Sequence, residues 1–339
     1  MTTGALGATL TWTASPAAGV ARYIVSRGTG SLPWEAADRE IGTVDATRTT
    51  YEDRGLRRGV IAYYTVQAED ADGHRGPASA RARTQPRGVE DIAVAVRSAS
   101  EVELTWTPPS EGRDVVGYHV ERAPVEVLSE DQLVPQRRRT PPLTEPSAGA
   151  LRRIGAFVRL TDGPVRGPRY ADAIDLSRPR PIAGPPAWER RIPPEQLDER
   201  GRPYRWAVFA YRVRAVNALG VEGGPSPYAL TLPAAPQHLF ARERGGACDL
   251  RWAESRAPGL KGYRVYRLDG RFDDRPISRL TPEPIAGRAF TDERAGTATR
   301  RYYVVAVDGL GQEGLPSAPA WYAREWRPFY APFVGEWHQ

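Results

Sequence analysis

The 339-residue sequence predicts an all-β chain of three tandem β-sandwiches, and three observations predict it. Glycine and proline, 33 and 32 residues, make up about a fifth of the chain, a density of turn formers that suits many short strands and disfavours a helical bundle. An apolar-polar-Trp alternation occurs three times, as Leu10-Thr11-Trp12, Leu104-Thr105-Trp106 and Leu250-Arg251-Trp252, the period-two pattern of a half-buried strand. Behind each of these runs the same landmarks return in the same order, which makes the chain an internal repeat.

The first landmark after each Trp is a second strand eleven or twelve residues on: Tyr23-Ile24-Val25-Ser26-Arg27, Tyr118-His119-Val120-Glu121-Arg122 and Tyr263-Arg264-Val265-Tyr266-Arg267, all Tyr-x-Val-x-Arg. Next an aromatic stands two before an aspartate, as Tyr51 and Asp53, Tyr170 and Asp172, Phe290 and Asp292. A third strand reads Tyr64-x-Val66-x-Ala68, Tyr211-x-Val213-x-Ala215 and Tyr302-x-Val304-x-Ala306. Gly73, Gly220 and Gly311 lie nine residues beyond that Tyr, at the offset of a turn that needs a positive φ, and Ser79, Ser226 and Ser317 follow six later to open the last strand.

These five landmarks resemble the fibronectin type III family, and the resemblance runs to about residue 324. It implies seven-stranded immunoglobulin-like sandwiches in which the Trp lies on strand B, the Tyr-x-Val-x-Arg run on strand C and the Tyr-x-Val-x-Ala run on strand F. Inward Trp and Tyr from facing sheets fill such a core without disulfides. Two before the strand F Tyr, where the family usually has a second Tyr, this chain has Ala62, Phe209 and Arg300, so the family's tyrosine corner is not expected. The units expected are residues 1–87, 88–233 and 234–324, followed by a tail, 325–339. Strand A of the first unit is short or missing; either the numbering starts inside a longer precursor or a neighbouring chain supplies that edge. Pro86 and Pro233 to Pro236 mark joints short enough for a semi-rigid rod.

Trp12 and Trp106 are 94 residues apart and Trp106 and Trp252 146, so the middle unit carries 52 extra residues. Because Arg159-Leu160-Thr161 matches Arg279-Leu280-Thr281, the additions fall at about 126–151 and 177–204. The first predicts a short capped helix near Ser129-Glu130-Asp131 before Arg137, Arg138 and Arg139; the second, rich in proline, predicts extended chain around Trp188, Arg190 and Arg191 with a helical turn from Pro194. The tail concentrates Trp326, Phe329, Tyr330, Phe333 and Trp337 in fifteen residues with Pro328 and Pro332, too little chain to bury its own rings. It packs back on the third unit or docks into a partner.

Other chemistry finds little support. The net charge of +6 comes from 46 Arg and one Lys, with a single Asn, a codon-bias pattern spread along the chain and not a nucleic-acid footprint. Cys248 is alone, so no intrachain disulfide or cysteine metal cluster forms, and His74, His119, His238 and His338 lack metal-ligand spacing. Gly309-Leu310-Gly311-Gln312-Glu313-Gly314 fits a dinucleotide pattern, but Pro316 blocks the helix that pattern needs, and it reads as a turn between strands F and G. Glu69, Asp70 and Asp72 share that turn in the first unit without the EF-hand ligand order. No cofactor, metal or catalytic residue is expected.

The function expected is a non-catalytic scaffold or extrinsic subunit that holds other protein subunits together in a larger bacterial assembly, such as a respiratory or photosynthetic complex. Its contacts are Arg137, Arg138, Arg139, Trp188, Arg190, Arg191, Trp326, Phe329, Tyr330, Phe333 and Trp337, residue types enriched at interface hot spots. It is placed outside the cytoplasm and peripheral to a membrane, although no signal peptide is visible and no stretch is apolar enough to span one. The alternative, which the resemblance suggests, is a spacer or carbohydrate-binding array of a secreted polysaccharide-degrading enzyme, with Trp34 and Trp188 stacking on sugar rings.

Overall fold

The structure, a computed structural model, describes residues 1–110, 114–127, 152–177, 207–255, 257–269 and 277–322. Among the described residues the regular elements are strands alone. First come β1 (Thr2–Gly4), β2 (Gly7–Thr11), β3 (Val20–Thr29), β4 (Arg39–Asp45), β5 (Thr50–Asp53), β6 (Ala62–Asp70) and β7 (Ala82–Arg83). Then follow β8 (Ile92–Ser98), β9 (Glu101–Trp106), β10 (Val115–Val127), β11 (Arg152–Ile154), β12 (Val158–Arg159), β13 (Arg169–Ala173), β14 (Phe209–Asn217) and β15 (Ala229–Leu230). Last are β16 (Phe240–Arg244), β17 (Ala247–Arg251), β18 (Leu260–Asp269), β19 (Ile277–Arg279), β20 (Ala289–Asp292), β21 (Arg300–Asp308), β22 (Glu313–Pro316) and β23 (Ala320–Tyr322).

Each group forms a three-stranded sheet facing a larger one, all pairs antiparallel: β1-β2-β5 with β4-β3-β6-β7, β8-β9-β13 with β11-β10-β14-β15, and β16-β17-β20 with β19-β18-β21-β22. This A-B-E against C′-C-F-G arrangement is the immunoglobulin-like sandwich of the fibronectin type III kind. Its core follows from the repeat, because period-two alternation turns Leu10, Val25 and Tyr64, or Leu104, Val120 and Tyr211, or Leu250, Val265 and Tyr302, into one buried cluster each. In every copy the landmark Trp meets the strand C Tyr edge to face, with ring centroids 5.5 Å apart for Trp12 and Tyr23, 5.1 Å for Trp106 and Tyr118, and 5.6 Å for Trp252 and Tyr263.

The glycine landmarks have the positive φ their offset predicts, 85° at Gly73, 76° at Gly220 and 78° at Gly311. The serines behave differently from their expected role. Ser79, Ser226 and Ser317 stand three residues ahead of β7, β15 and β23, and each hydroxyl accepts from a strand F amide, Val66, Val213 or Val304, while its own N–H donates to the same residue's carbonyl. They tie the chain to strand F before the last strand begins. Thr161 and Thr281, equated by sequence, occupy equivalent places, each hydroxyl accepting from the strand C amide of Val120 or Val265. The two insertions, except Glu126, Val127 and Ser177, and the tail with its aromatics lie outside the described residues, as do the helix expected near Ser129 and the turn expected at Pro194.

Candidate interaction surfaces

Three of the five landmarks converge on one buried polar cluster per sandwich. Arg27 Nη1 lies 2.7 Å from Asp53 Oδ2, and the Tyr64 hydroxyl donates to that oxygen at 2.6 Å. Arg122 and Tyr211 meet Asp172 Oδ2 at 2.6 and 2.7 Å, and Arg267 and Tyr302 meet Asp292 Oδ2 at 2.9 and 2.8 Å. The alternation explains it: Tyr, Val and Arg at i, i+2 and i+4 share the inward face, so the Arg ends at the core rim beside strand E. Burial alone would raise the Asp53 and Asp292 carboxyls, but the Tyr hydroxyl, the Arg and the backbone N–H of Gly55 or Arg294 outweigh it and hold both below the usual range. Burial and the same carboxylates push the Tyr64, Tyr211 and Tyr302 hydroxyls far above theirs. The tyrosine corner is thereby replaced by a tyrosine that bonds across to strand E. A carboxylate with every neighbour committed is a brace and offers no free base or nucleophile. The Cys248 thiol is equally closed, fully buried and pushed up by that burial to about 11.

The outer faces of the larger sheets differ. On the first, Glu69 is gripped by Arg22 and Arg75; on the second, Glu121 is gripped by Arg212 and Arg214, which hold it below the usual carboxylate range against its burial. Arg212 also stacks 3.9 Å over the Phe157 ring, and Arg159 bridges to Glu222 at 2.8 Å. The third carries an apolar cluster, Tyr266, Leu268, Tyr303 and Val305, with Tyr266 and Arg264 both on Glu313. Sequence reasoning missed these networks because their positions do not recur in the repeat.

Consecutive sandwiches are joined by side-chain amides. Asn217 Nδ2 donates to the Thr84 carbonyl at 2.7 Å, with Gln85 Nε2 on the Glu222 carbonyl at 3.2 Å; at the next joint Gln312 Nε2 donates to the Thr231 carbonyl at 3.0 Å. Thr84 and Thr231 are equivalent, each lending its hydroxyl to the first residue of strand F, Ala62 or Phe209. Glycine permits the close approach: a Cβ on Gly223 would stand 2.9 Å from the Pro86 carbonyl oxygen, and one on Gly314 2.7 Å from Pro233 Cβ.

Of the residues expected to bind partners, Arg137, Arg138, Arg139, Trp188, Arg190, Arg191, Trp326, Phe329, Tyr330, Phe333 and Trp337 all lie outside the described residues. Trp34 is 78 % exposed, a single ring on a loop. Asp70, Asp72 and His74 gather within 4.8 Å in the turn after β6, whereas Glu69 is occupied by its two arginines.

No sequence-defined family matches the chain, and no curated protein does. Solved structures do. The FN1–FN3 domains of chicken CNTN1 are 15% identical over 94% of this chain and 95% of theirs, with a TM-score of 0.25. An Fn3-like protein from Clostridium thermocellum is 30% identical over 26% of this chain and 91% of its own, with a TM-score of 0.23. Pectate lyase Pel3 from Pectobacterium carotovorum is 23% identical over 26% of this chain and 27% of its own, with a TM-score of 0.24.

Proposed function

We propose that this protein is a non-catalytic scaffold, an extrinsic subunit that holds other proteins of a larger assembly through the additions to its middle sandwich and through its aromatic tail. The observation that carries this reading is the repeated Arg-Asp-Tyr brace, which commits the recurring ionisable groups to the fold and leaves the departures from the repeat as the places for function. Amide clasps at both joints suit a spacer that sets distances between bound components. The setting proposed with it is extracytoplasmic, at the periphery of a membrane-bound complex; no helix among the described residues is long and apolar enough to cross a membrane.

The test is co-purification from the source cell with and without residues 325–339. Partners released by the deletion support the scaffold; a monomer with a protease-sensitive tail overturns it. A second reading, binding of polysaccharide, is favoured by exposed Trp34 and is tested by retention on insoluble polysaccharide that Trp34→Ala abolishes.

A further inference from the structure

We infer that the aromatic tail, residues 325–339, docks on the outer face of the third sandwich's larger sheet, over Tyr266 and Leu268 of β18 and Tyr303 and Val305 of β21. These four side chains alternate with Val265, Tyr302 and Val304 of the core, so they stand on the side of the sheet turned away from it. Such an outer face ordinarily meets water, yet Tyr266, Leu268, Tyr303 and Val305 are 0 %, 0 %, 2 % and 0 % exposed. Among the described residues no further apolar side chain packs on them. Their burial calls for an apolar cover lying across the sheet.

The repeat shows that this need is particular to the third copy. The four positions lie three and five residues beyond the strand C Tyr and one and three beyond the strand F Tyr. In the first sandwich they are Ser26, Gly28, Thr65 and Gln67; in the second, Glu121, Ala123, Arg212 and Arg214. Glu121, Arg212 and Arg214 satisfy one another in place. The copy that the tail follows is the one with a large apolar side chain at all four positions.

The chain's own path selects the tail as the occupant. β23 pairs with β21, Trp321 opposite Arg301 and Tyr322 opposite Arg300, and the Arg301 guanidinium lies 5.2 Å from the centre of the Trp321 ring. Leu268 and Asp269 stand across from the same two arginines, so the chain leaves β23 at the Leu268 end of the apolar face. At about 3.3 Å per residue the fifteen-residue tail extends to about 50 Å, whereas the three strands β23, β21 and β18 span only about 10 Å. The tail brings five rings, and Pro328 and Pro332 withhold two backbone donors, which suits contact through rings better than a further ladder strand. Residues 270–276, which follow β18, bring a single ring, Phe272. Tyr266 and Tyr303, directly opposite each other, offer the incoming rings edge-to-face partners. The inference deepens the scaffold reading and rests on it only for the tail's role as a contact: a tail held on its own sandwich meets a partner already ordered, which lowers the entropy lost on binding.

The test uses the purified full chain without partners, so its failure leaves the co-purification result untouched. Chymotrypsin cleavage within residues 325–339 is followed by mass spectrometry. The tail is expected to be cut at least tenfold more slowly than in a chain carrying Tyr303→Thr and Val305→Gln, the residues of the first sandwich, with hydrogen exchange of the β21 amides confirming that the altered sheet is folded. A second measurement leaves the sheet intact. Phe329→Ser, Tyr330→Ser and Phe333→Ser together are expected to raise binding of the dye anilinonaphthalene sulfonate severalfold, and adding Tyr303→Thr and Val305→Gln is expected to remove that rise. A tail cut at one rate in both chains, no rise in dye binding, or tail protection confined to a dimer in sedimentation, which would place a second copy on the face, overturns the proposal.

Discussion

Replacing Asp308 with asparagine should stabilise the third sandwich at neutral pH and leave it unchanged in acid. Asp308 is 5 % exposed, and its Oδ1 accepts from the N–H groups of Leu310 at 2.9 Å and Gln312 at 2.8 Å, while Oδ2 is buried without a partner. Burial raises the carboxyl from 3.8 to about 6 against those two bonds. A raised carboxyl pKa means that the unfolded chain ionises first as pH rises. The native state therefore keeps its full stability below about pH 4 and loses it progressively up to about pH 6. At 1.36 kcal/mol per pH unit, the rise from 3.8 to about 6 costs about 3 kcal/mol at pH 7. Asparagine keeps the Oδ1 acceptor and removes the charge, and Asn217 shows that the turn accommodates it, with Oδ1 on the Val221 N–H at 2.9 Å and Nδ2 on the linker carbonyl of Thr84 at 2.7 Å. The introduced amide would find the Thr231 carbonyl in the equivalent place, with a lone pair left beside Gln312. Because three sandwiches need not unfold together, the assay is urea unfolding followed by hydrogen exchange of the β21 amides, between pH 3.5 and 8. Asp308→Asn is expected to gain about 1–3 kcal/mol at pH 7 and nothing at pH 3.5. A loss at pH 7, or a gain of the same size at both pH values, refutes the reasoning.

Other outcomes follow from the same structure. Tyr211→Phe removes one donor from Asp172 and is expected to cost about 2 kcal/mol, whereas Asp172→Ala strands both Arg122 and Tyr211 and is expected to cost about 3 kcal/mol or more, measured as the β14 opening energy by hydrogen exchange. Asp53 and Asp292 are held below their usual range, so their contribution is present above about pH 4 and is lost as pH falls through their depressed values; Asp292→Asn should flatten that acid limb for the third sandwich alone. Gly314→Ala, whose methyl would press on Pro233, is expected to cost about 1–3 kcal/mol at the second joint, while Gly76→Ala leaves thermal stability within about 0.5 kcal/mol.

Much of the fold is legible in the sequence because the inward positions recur with period two and the turns recur at fixed offsets. Leu104, Val120 and Tyr211 fall on one core for that reason, and Gly220 takes its positive φ for that reason. The Arg-Asp-Tyr brace was partly legible. The spacing of Arg122 from Tyr118 puts it on the inward face, and an inward arginine requires an inward acid, for which Asp172 is the repeated candidate. The joints were not, since Asn217 and Gln312 sit at different offsets from their strand F tyrosines and perform one task from two positions. Nor were the grips on Glu69 and Glu121, which depend on neighbours across the sheet that each copy changes independently. The residues chosen as partner contacts belong to the insertions and the tail, where no repeat constrains a side chain and the landmarks give no position.

The turn between strands F and G shows how one local device acquires different uses. Its sixth position beyond the strand F Tyr is Asp70, Asn217 or Asp308, and in all three the Oδ1 accepts amides two or four residues on: Asp72 and His74 at 3.0 and 2.9 Å, Val221 at 2.9 Å, Leu310 and Gln312 at 2.9 and 2.8 Å. The side chain is a turn former first. In the first copy this accounts for the Asp70 carboxylate without a cation, since its second oxygen lies 3.2 Å from His74 Nδ1 in solvent. In the second copy the remaining atom is a nitrogen, and it holds the linker. In the third it is an oxygen that cannot hold one while ionised, and Gln312, four residues later, reaches the carbonyl instead. The pole that carries this turn is therefore where the second and third sandwiches meet the chain that precedes them, through Asn217 on the Thr84 carbonyl and Gln312 on the Thr231 carbonyl.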